Sequence, residues 1–283
     1  MSSQQAANQA RTRTRDMAYR PAVSMLTGRT ALVTGVSRAS GIGAAIARVL
    51  AASGARLFLT GWPAHDASHP WGEDPGGGER IRDELRAAGH TAEYLQADFS
   101  DPAVPGEVVR AAVACIGPLD ILVANHARTA DQALLELTAD ELDRSFAVNA
   151  RATLLLVRHY VEQHVGGPGG RVVTFTSGQY HGAMPAELPY IASKAVIQQL
   201  TATLAVELAP RGITVNCINP GPNDTGYATG ELRRRVEGAM PMGRWGRPED
   251  AARLVAWLCS EEAEWITGQT IASDGGWSAR GAS

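Results

Sequence analysis

The chain has 283 residues, with 26 lysines and arginines against 29 aspartates and glutamates for a net charge of −3, and 45% of its side chains are hydrophobic. That length and apolar content suffice for one substantial core without a second domain, and the near-neutral charge leaves no electrostatic footprint for nucleic acid or an anionic membrane surface. No apolar run approaches the roughly 20 residues that would span a bilayer. Residues 1–20 carry Arg11, Arg13, Arg15 and Arg20 with no apolar segment behind them, which argues against a secretory signal. Residues 1–27 read as a flexible tail and 28–283 as the folded unit.

Thr30 to Gly35 is a short apolar strand. It runs through Val36-Ser37-Arg38-Ala39-Ser40 into Gly41-Ile42-Gly43 and an alanine-rich helical stretch ending at Leu50. Strand, glycine-punctuated turn and helix form the first β-turn-α unit of a nucleotide-binding fold. Gly35 turns the chain off the strand, while Gly41 and Gly43 clear side chains from where backbone meets a pyrophosphate and helix meets sheet. Arg56–Thr60 is a second strand, and Gly78–Ala88 a helix with Ile81, Leu85 and Ala88 at helical spacing. The connection between them, Gly61 through Gly78, is long and rich in proline and glycine.

Strands follow at 91–96, 119–125, 171–177, 212–218 and 269–273, separated by helices at 104–114, 138–165 with a break near Asn149, 193–208 and 248–259. The strands are apolar runs rather than alternations, the pattern of parallel strands buried on both faces. The fold class is therefore α/β: a single doubly wound Rossmann domain, its mostly parallel seven-stranded sheet flanked by helices. Cys115, Cys217 and Cys259 are odd in number and embedded in apolar runs, so buried thiols in a reducing, cytoplasmic compartment are expected. His65 and His69 are four apart in the long connection, but a pair without a third ligand is weak, and no metal is expected.

Thr34-Gly35, Asn125, Asn149, Ser177, Tyr190-Ile191-Ala192-Ser193-Lys194 and Asn219-Pro220-Gly221, in this order and on these elements, resemble the classical short-chain dehydrogenase/reductase family. Arg244-Trp245-Gly246-Arg247-Pro248-Glu249-Asp250, Gly268 and Asp274-Gly275-Gly276 are similar to its ketoacyl-reductase-like branch. Two departures stand out. Five residues separate Gly35 from Gly41 where the family usually has three, so Ala39-Ser40 reads as a two-residue insertion. Ala124-Asn125-His126-Ala127 stands where the family usually has asparagine, asparagine, alanine, glycine, and His126 is expected to cap the strand end, with contact to the nicotinamide side as the alternative.

The chemistry can also be built from the residues. Tyr190 and Lys194 share a helix face, and Ser177 ends a strand whose carboxyl edge meets the same crevice. A nearby ammonium and a cationic nicotinamide would draw the phenol down from its pKa near 10, fitting Tyr190 to move a proton while Ser177 hydrogen-bonds the reacting oxygen. The resemblance adds that Lys194 holds ribose hydroxyls and that Asn149 holds a water linking Lys194 to solvent. The catalytic set is thus Ser177, Tyr190, Lys194 and Asn149. Glycine turn and resemblance together place Gly35, Ser37, Arg38, Gly41, Ile42, Gly43, Gly61, Asp98, Phe99, Asn125, Tyr190, Lys194, Pro220, Gly221 and Thr225 along a dinucleotide. NADP(H) is favoured, with NAD(H) possible: Gly61 stands where an acidic residue would repel a 2′-phosphate, Arg38 can pair with one, and Asp66 is the counter-argument.

Gln179, His181, Met184, Tyr227 and Trp245 are the candidate substrate contacts, with a mobile lid at about 222–246 implied by the family. The expected activity is reduction of a carbonyl on a hydrophobic small molecule, a ketoreductase, or the reverse oxidation of an alcohol. The alternatives are a 3-oxoacyl thioester reductase, for which Arg233–Arg235 would meet an acidic carrier, and a non-catalytic dinucleotide-binding protein. The resemblance also implies a homodimer or homotetramer through helices near 143–161 and 193–208.

Overall fold

A computed structural model describes residues 25–280 apart from 168 and 229. Most of the tail expected at 1–27 lies outside the described residues. Leu26 does not belong to it, being fully buried, with its N–H donating to Ser53 O at 2.9 Å.

Seven strands form one sheet: β1 (Thr30–Thr34), β2 (Arg56–Gly61), β3 (Ala92–Gln96), β4 (Ile121–Ala124), β5 (Gly170–Phe175), β6 (Ile213–Asn219) and β7 (Thr270–Ala272). Their order is β3-β2-β1-β4-β5-β6-β7, and every neighbouring pair is parallel. β1 lies between β2 and β4, so the chain winds outward in both directions from it, and the crevice at the carboxyl ends opens where the winding reverses. All residues of β1, β4, β5 and β6 are buried.

Helices cover both faces. On one, α1 (Ile42–Ala52) and α9 (Pro248–Cys259) pack through Ile46, Leu50, Val255 and Leu258, beside Ile81 of α3 (Gly77–Ala87). The other carries α4 (Val104–Ile116), α6 (Ala152–Gln163) and α7 (Leu188–Leu208), where Val108, Leu156, Tyr160 and Leu208 close the core. Each large apolar side chain removed from water here contributes about 1.5–3 kcal/mol. A third, small cluster of Ala228, Val236, Met240 and Trp245, joined by Trp277, lies under α8 (Gly230–Ala239).

Several expectations change. The connection after β2 contains a short helix, α2 (Pro63–Ala67), with its proline in the first turn. The helical stretch expected at 138–165 is α5 (Ala139–Ser145), a π-helical segment Phe146–Arg151 carrying Asn149, and α6. α7 starts at Leu188 rather than 193, with Pro189 in its first turn, which brings Tyr190 and Lys194 onto one helix. Cys115 is exposed on α4, contrary to the expectation of three buried thiols; Cys217 and Cys259 are buried. Among the described residues, no helix is long and apolar enough to cross a membrane.

Candidate active site

A cleft of about 1510 Å³ runs along the carboxyl edge of the sheet, lined by the residues that follow β1 through β6. At its centre the chain turns off β1 at Gly35, with φ +75, where a Cβ would stand 2.8 Å from Asn125 Nδ2 and from His126 Cα. Only glycine fits that conformation and that approach. Asn125 secures the turn, its Nδ2 donating to Thr34 O at 3.1 Å and Gly35 O at 3.2 Å. α1 begins at Gly41 with no side chain capping it, so its first N–H groups face the cleft mouth without intrahelical partners. A Cβ-free turn, an open helix N-terminus and a long cleft together fit the diphosphate of a dinucleotide.

The cleft wall includes Gly35, Ser37, Arg38, Gly41, Ile42, Gly43, Gly61, Asp98, Phe99, Asn125, Tyr190, Pro220, Gly221 and Thr225. Lys194 and Asn149 are buried behind that wall. Asn149 is held on three sides: Oδ1 accepts from Arg128 N at 2.6 Å, and Nδ2 donates to Arg128 O at 2.9 Å and Ser193 Oγ at 2.8 Å. The Arg128 backbone is steadied by the bidentate pairing of its guanidinium with Glu141, both contacts 2.7 Å. The Asn149 side chain therefore anchors the π-helical segment to the loop after β4 and to α7.

Ser177, following β5, lies on the cleft wall with Tyr190, near enough to oppose the effect of burial on its phenol. Lys194, one turn further along α7, donates from Nζ to Phe175 O at 3.0 Å, and Nζ lies 6.0 Å from the centre of the Tyr190 ring. Burial raises the Tyr190 phenol to about 12, outweighing the opposing effect of Ser177, with Glu187 and Tyr227 adding to the rise. Burial likewise lowers Lys194 to about 8. The sequence argument counts on an ammonium and a cationic nicotinamide together to depress the phenol; among the protein's own groups burial dominates and keeps the Tyr190 phenol neutral near pH 7.

His126 caps the strand end as expected. Its Nε2–H donates to Val148 O at 3.0 Å, so Nδ1 is the acceptor of the Thr34 hydroxyl at 2.7 Å. Burial, reinforced by the charge on Lys194, drives the imidazole down to about 3. His126 also lines the cleft and packs 4.4 Å from the Phe99 ring.

The connection after β2 turns back into the cleft. Asp66 on α2 is buried and pairs with Arg38, Nε to Oδ1 3.2 Å, while Trp71 Nε1 donates to Asp66 Oδ1 at 3.2 Å. The Arg38 guanidinium stands 5.3 Å from the Trp71 ring, which stacks on His69. His65 and His69 lie edge to face at 4.4 Å, and among the described residues no three metal-ligating side chains gather. Gly61 has a structural reason of its own: a Cβ there would stand 2.5 Å from Val36 O. The sequence reading names Asp66 as the counter-argument to a 2′-phosphate but not Trp62, His65 or Trp71, although the unusual length of this connection is their signal.

At the other end, His181, Met184, Tyr227 and Trp245 line the cleft. Gln179 does not: its Oε1 accepts from Ser177 N at 3.2 Å, and its Nε2 donates to Thr176 Oγ1 at 2.9 Å and Gln198 Oε1 at 3.1 Å. It supports the turn that presents Ser177. Glu187 and Trp277 join this part of the wall; Glu187 is half-buried, with its carboxyl raised by burial and by Asp131.

Comparison with known proteins agrees with this geometry. Residues 35–278 match a family model described as enoyl-(acyl carrier protein) reductase. An uncharacterized oxidoreductase of Bacillus subtilis, YjdA, is 40% identical over 248 residues, 87% of this chain and 95% of that protein. The chain belongs to the short-chain dehydrogenase/reductase family. A short-chain dehydrogenase/reductase from Serratia marcescens superposes with a TM-score of 0.81 at 34% identity, over 89% of this chain and 99% of that one. A short chain dehydrogenase from Burkholderia cenocepacia, solved in complex with NADP, does so with 0.79 at 34% identity, over 89% and 98%. Short-chain dehydrogenase/reductase chemistry is hydride transfer with a nicotinamide dinucleotide, and the matched residues 35–278 include the cleft-wall residues named above.

Proposed function

We propose that this protein is an NADP(H)-dependent ketoreductase acting on a hydrophobic small-molecule carbonyl. The observation that carries the reading is that Ser177 and Tyr190 stand together in the wall of a cleft that continues to the glycine turn, with Lys194 Nζ buried behind it 6.0 Å from the centre of the Tyr190 ring. When bound, the nicotinamide supplies a hydride to the carbonyl carbon. Tyr190, kept protonated by burial, gives its proton to the carbonyl oxygen as charge develops there. Ser177 donates a hydrogen bond to the same oxygen. Lys194 holds the ribose hydroxyls and, with the Asn149 segment behind it, returns a proton to Tyr190. Gly35, Gly41 and Gly43 bring backbone to the diphosphate, and Asp98 and Phe99 flank the adenine.

The preference for a 2′-phosphate rests on Arg38 at the cleft wall. A guanidinium has five N–H donors, and Arg38 directs one nitrogen to Asp66 and another to Thr225 O, which leaves donor capacity for a phosphate. The NADP complex of the Burkholderia relative supports the same choice. For the substrate, Met184, Tyr227, Leu232, Val236, Trp245 and Trp277 make a largely apolar wall. An acyl-carrier substrate is less well served, because Arg233, the first of the three arginines that would meet a carrier, is already paired with Asp224 at 2.6 Å.

The test is consumption of NADPH and NADH at 340 nm with aromatic, alicyclic and polycyclic ketones, 3-oxoacyl thioesters and enoyl thioesters, with product identification. Carbonyl turnover that favours NADPH and disappears in Y190F is the expected result. Turnover confined to thioesters would replace the substrate class. Dinucleotide binding without any turnover would make the protein a binding module.

A further inference from the structure

Resting on the reading of the cleft as a dinucleotide site, we propose that the widened glycine turn is a clasp. Ser40 and Arg38 tie the turn to the lid across the cofactor, which makes them positioning residues that govern how fast the cofactor leaves. Thr225 O accepts from Ser40 Oγ at 3.2 Å and from Arg38 Nη1 at 3.2 Å. The next residue, Gly226, comes so near that a Cβ on it would stand 3.9 Å from the Ser40 hydroxyl.

The turn is braced for this. Ala39 N donates to Asp74 Oδ2 at 2.6 Å, and Arg48 Nη1 donates to Ala39 O at 2.9 Å. Asp74 is itself paired with Arg80, 3.3 Å away on α3. The inserted pair is thus held from behind through its backbone, and the Ser40 hydroxyl remains for the lid. Ala39-Ser40 is the stretch by which this turn exceeds the usual length, so the clasp comes from the insertion.

The lid is built to move as a unit. Its apolar side chains Ala228, Val236, Met240 and Trp245, met from outside the lid by Trp277, form a cluster separate from the two clusters packed on the sheet. Its two ends meet in a short parallel bridge, where Asp224 N donates to Gly246 O at 2.8 Å and Gly246 N to Pro222 O at 3.0 Å. A segment with its own small core and a narrow base opens at lower cost than the sheet. Thr225 and Arg38 line the cleft, and Ser40 meets the Thr225 carbonyl from the exposed side of the turn, so the two contacts together hold the lid against that opening.

Loss of one such hydrogen bond changes an opening equilibrium by about two- to tenfold. The experiment measures NADPH release by stopped-flow displacement from wild type, Ser40→Ala and Ser40→Thr, together with amide hydrogen exchange of residues 222–228 in protein without cofactor. Ser40→Ala should release NADPH about two- to tenfold faster and exchange its lid amides faster, with an unchanged melting temperature. Ser40→Thr, which keeps the hydroxyl, should restore both. Release and lid exchange in Ser40→Ala equal to wild type would overturn the clasp. Failure of the wild type to bind any dinucleotide would overturn the proposed function instead, and the lid exchange would still decide the clasp.

Discussion

The Asp66 carboxylate and the Arg38 guanidinium meet at 3.2 Å inside the cleft, with side chains only 9% and 15% exposed. An acidic group therefore reaches the cleft from the connection after β2, although the end of β2 itself carries glycine. It arrives neutralised by the arginine that would otherwise meet a 2′-phosphate. Removing the carboxylate frees the guanidinium and deletes a repulsive charge, whereas removing the arginine leaves the carboxylate unpaired beside the ribose. D66N should accordingly raise the NADPH over NADH preference, and R38A should abolish it. A charged hydrogen bond to phosphate contributes about 1.5–3 kcal/mol, or roughly ten- to hundredfold in dissociation constant. Fluorescence titration of both cofactors against wild type, D66N, R38A and the double variant checks this, since coupled residues must show a non-additive term. An NADPH preference that survives R38A would remove Arg38 from phosphate recognition.

Y190F should keep cofactor affinity and lower kcat by about two orders of magnitude or more, since a phenyl ring can fill the space but donate no proton. S177A should lose less, because water can replace one hydrogen-bond donor. Single-turnover hydride transfer followed at 340 nm separates chemistry from release. Retention of a tenth of wild-type turnover by Y190F would mean that the proton travels another way.

The parts of this site that could be read beforehand are those whose signals are local. Apolar runs specify buried parallel strands, and Tyr190 and Lys194 four residues apart can share a helix face whatever the rest of the chain does. Ser177 was found because it ends a strand. What escaped depends on long-range geometry: Asp66 meets Arg38 only because α2 folds the connection back over β1, and Ser40 meets Thr225 only across the cleft. Gln179 looked like a substrate contact by its nearness to Ser177, but its amide satisfies the Ser177 turn. The early start of α7 did have a local signal, Pro189 in the first turn. The direction of the Tyr190 shift could not be had from composition, since it turns on how far burial outweighs the neighbouring polar groups.

His126 gives the fold a pH dependence of known sign. Burial and the charge on Lys194 hold the folded imidazole at about 3, whereas an unfolded histidine titrates near 6.5. Below that value the unfolded chain binds a proton that the folded chain refuses, so stability falls as pH drops from about 6.5 toward 3. From pH 7 to pH 5 this one site should remove about 2 kcal/mol. H126N will be less stable at pH 7, because it breaks the bridge between Thr34 and Val148, yet it should lose less on acidification. Urea titrations at pH 7 and pH 5 measure the difference, a window above the titration of most carboxylates. Parallel losses in the two proteins would show that His126 does not carry this dependence.

Gly61 is the position at which a change of cofactor preference would ordinarily be sought, by placing an acidic side chain at the end of β2. The structure argues that this route is closed. A Cβ at 61 would lie 2.5 Å from Val36 O and 2.8 Å from Val36 C, with Ser37 Cβ at 3.1 Å. The nearest of these atoms are backbone of the glycine turn, so they cannot swing aside as the tip of a flexible side chain can. Val36 N is in turn bonded to Thr60 O at 2.9 Å, which joins the turn to β2 immediately before the glycine. Even G61A should therefore displace the turn, destabilising the protein by about 1–3 kcal/mol as overpacking does. Because the displaced turn is the proposed diphosphate cradle, affinity for NADPH and NADH should fall together, with their ratio little changed, and G61D should be no better as a specificity switch. Urea unfolding of G61A paired with dissociation constants for both cofactors tests the point. Wild-type stability in G61A, or a G61D variant that exchanges NADPH for NADH preference without general loss of affinity, would show that the turn yields and that position 61 selects the cofactor directly.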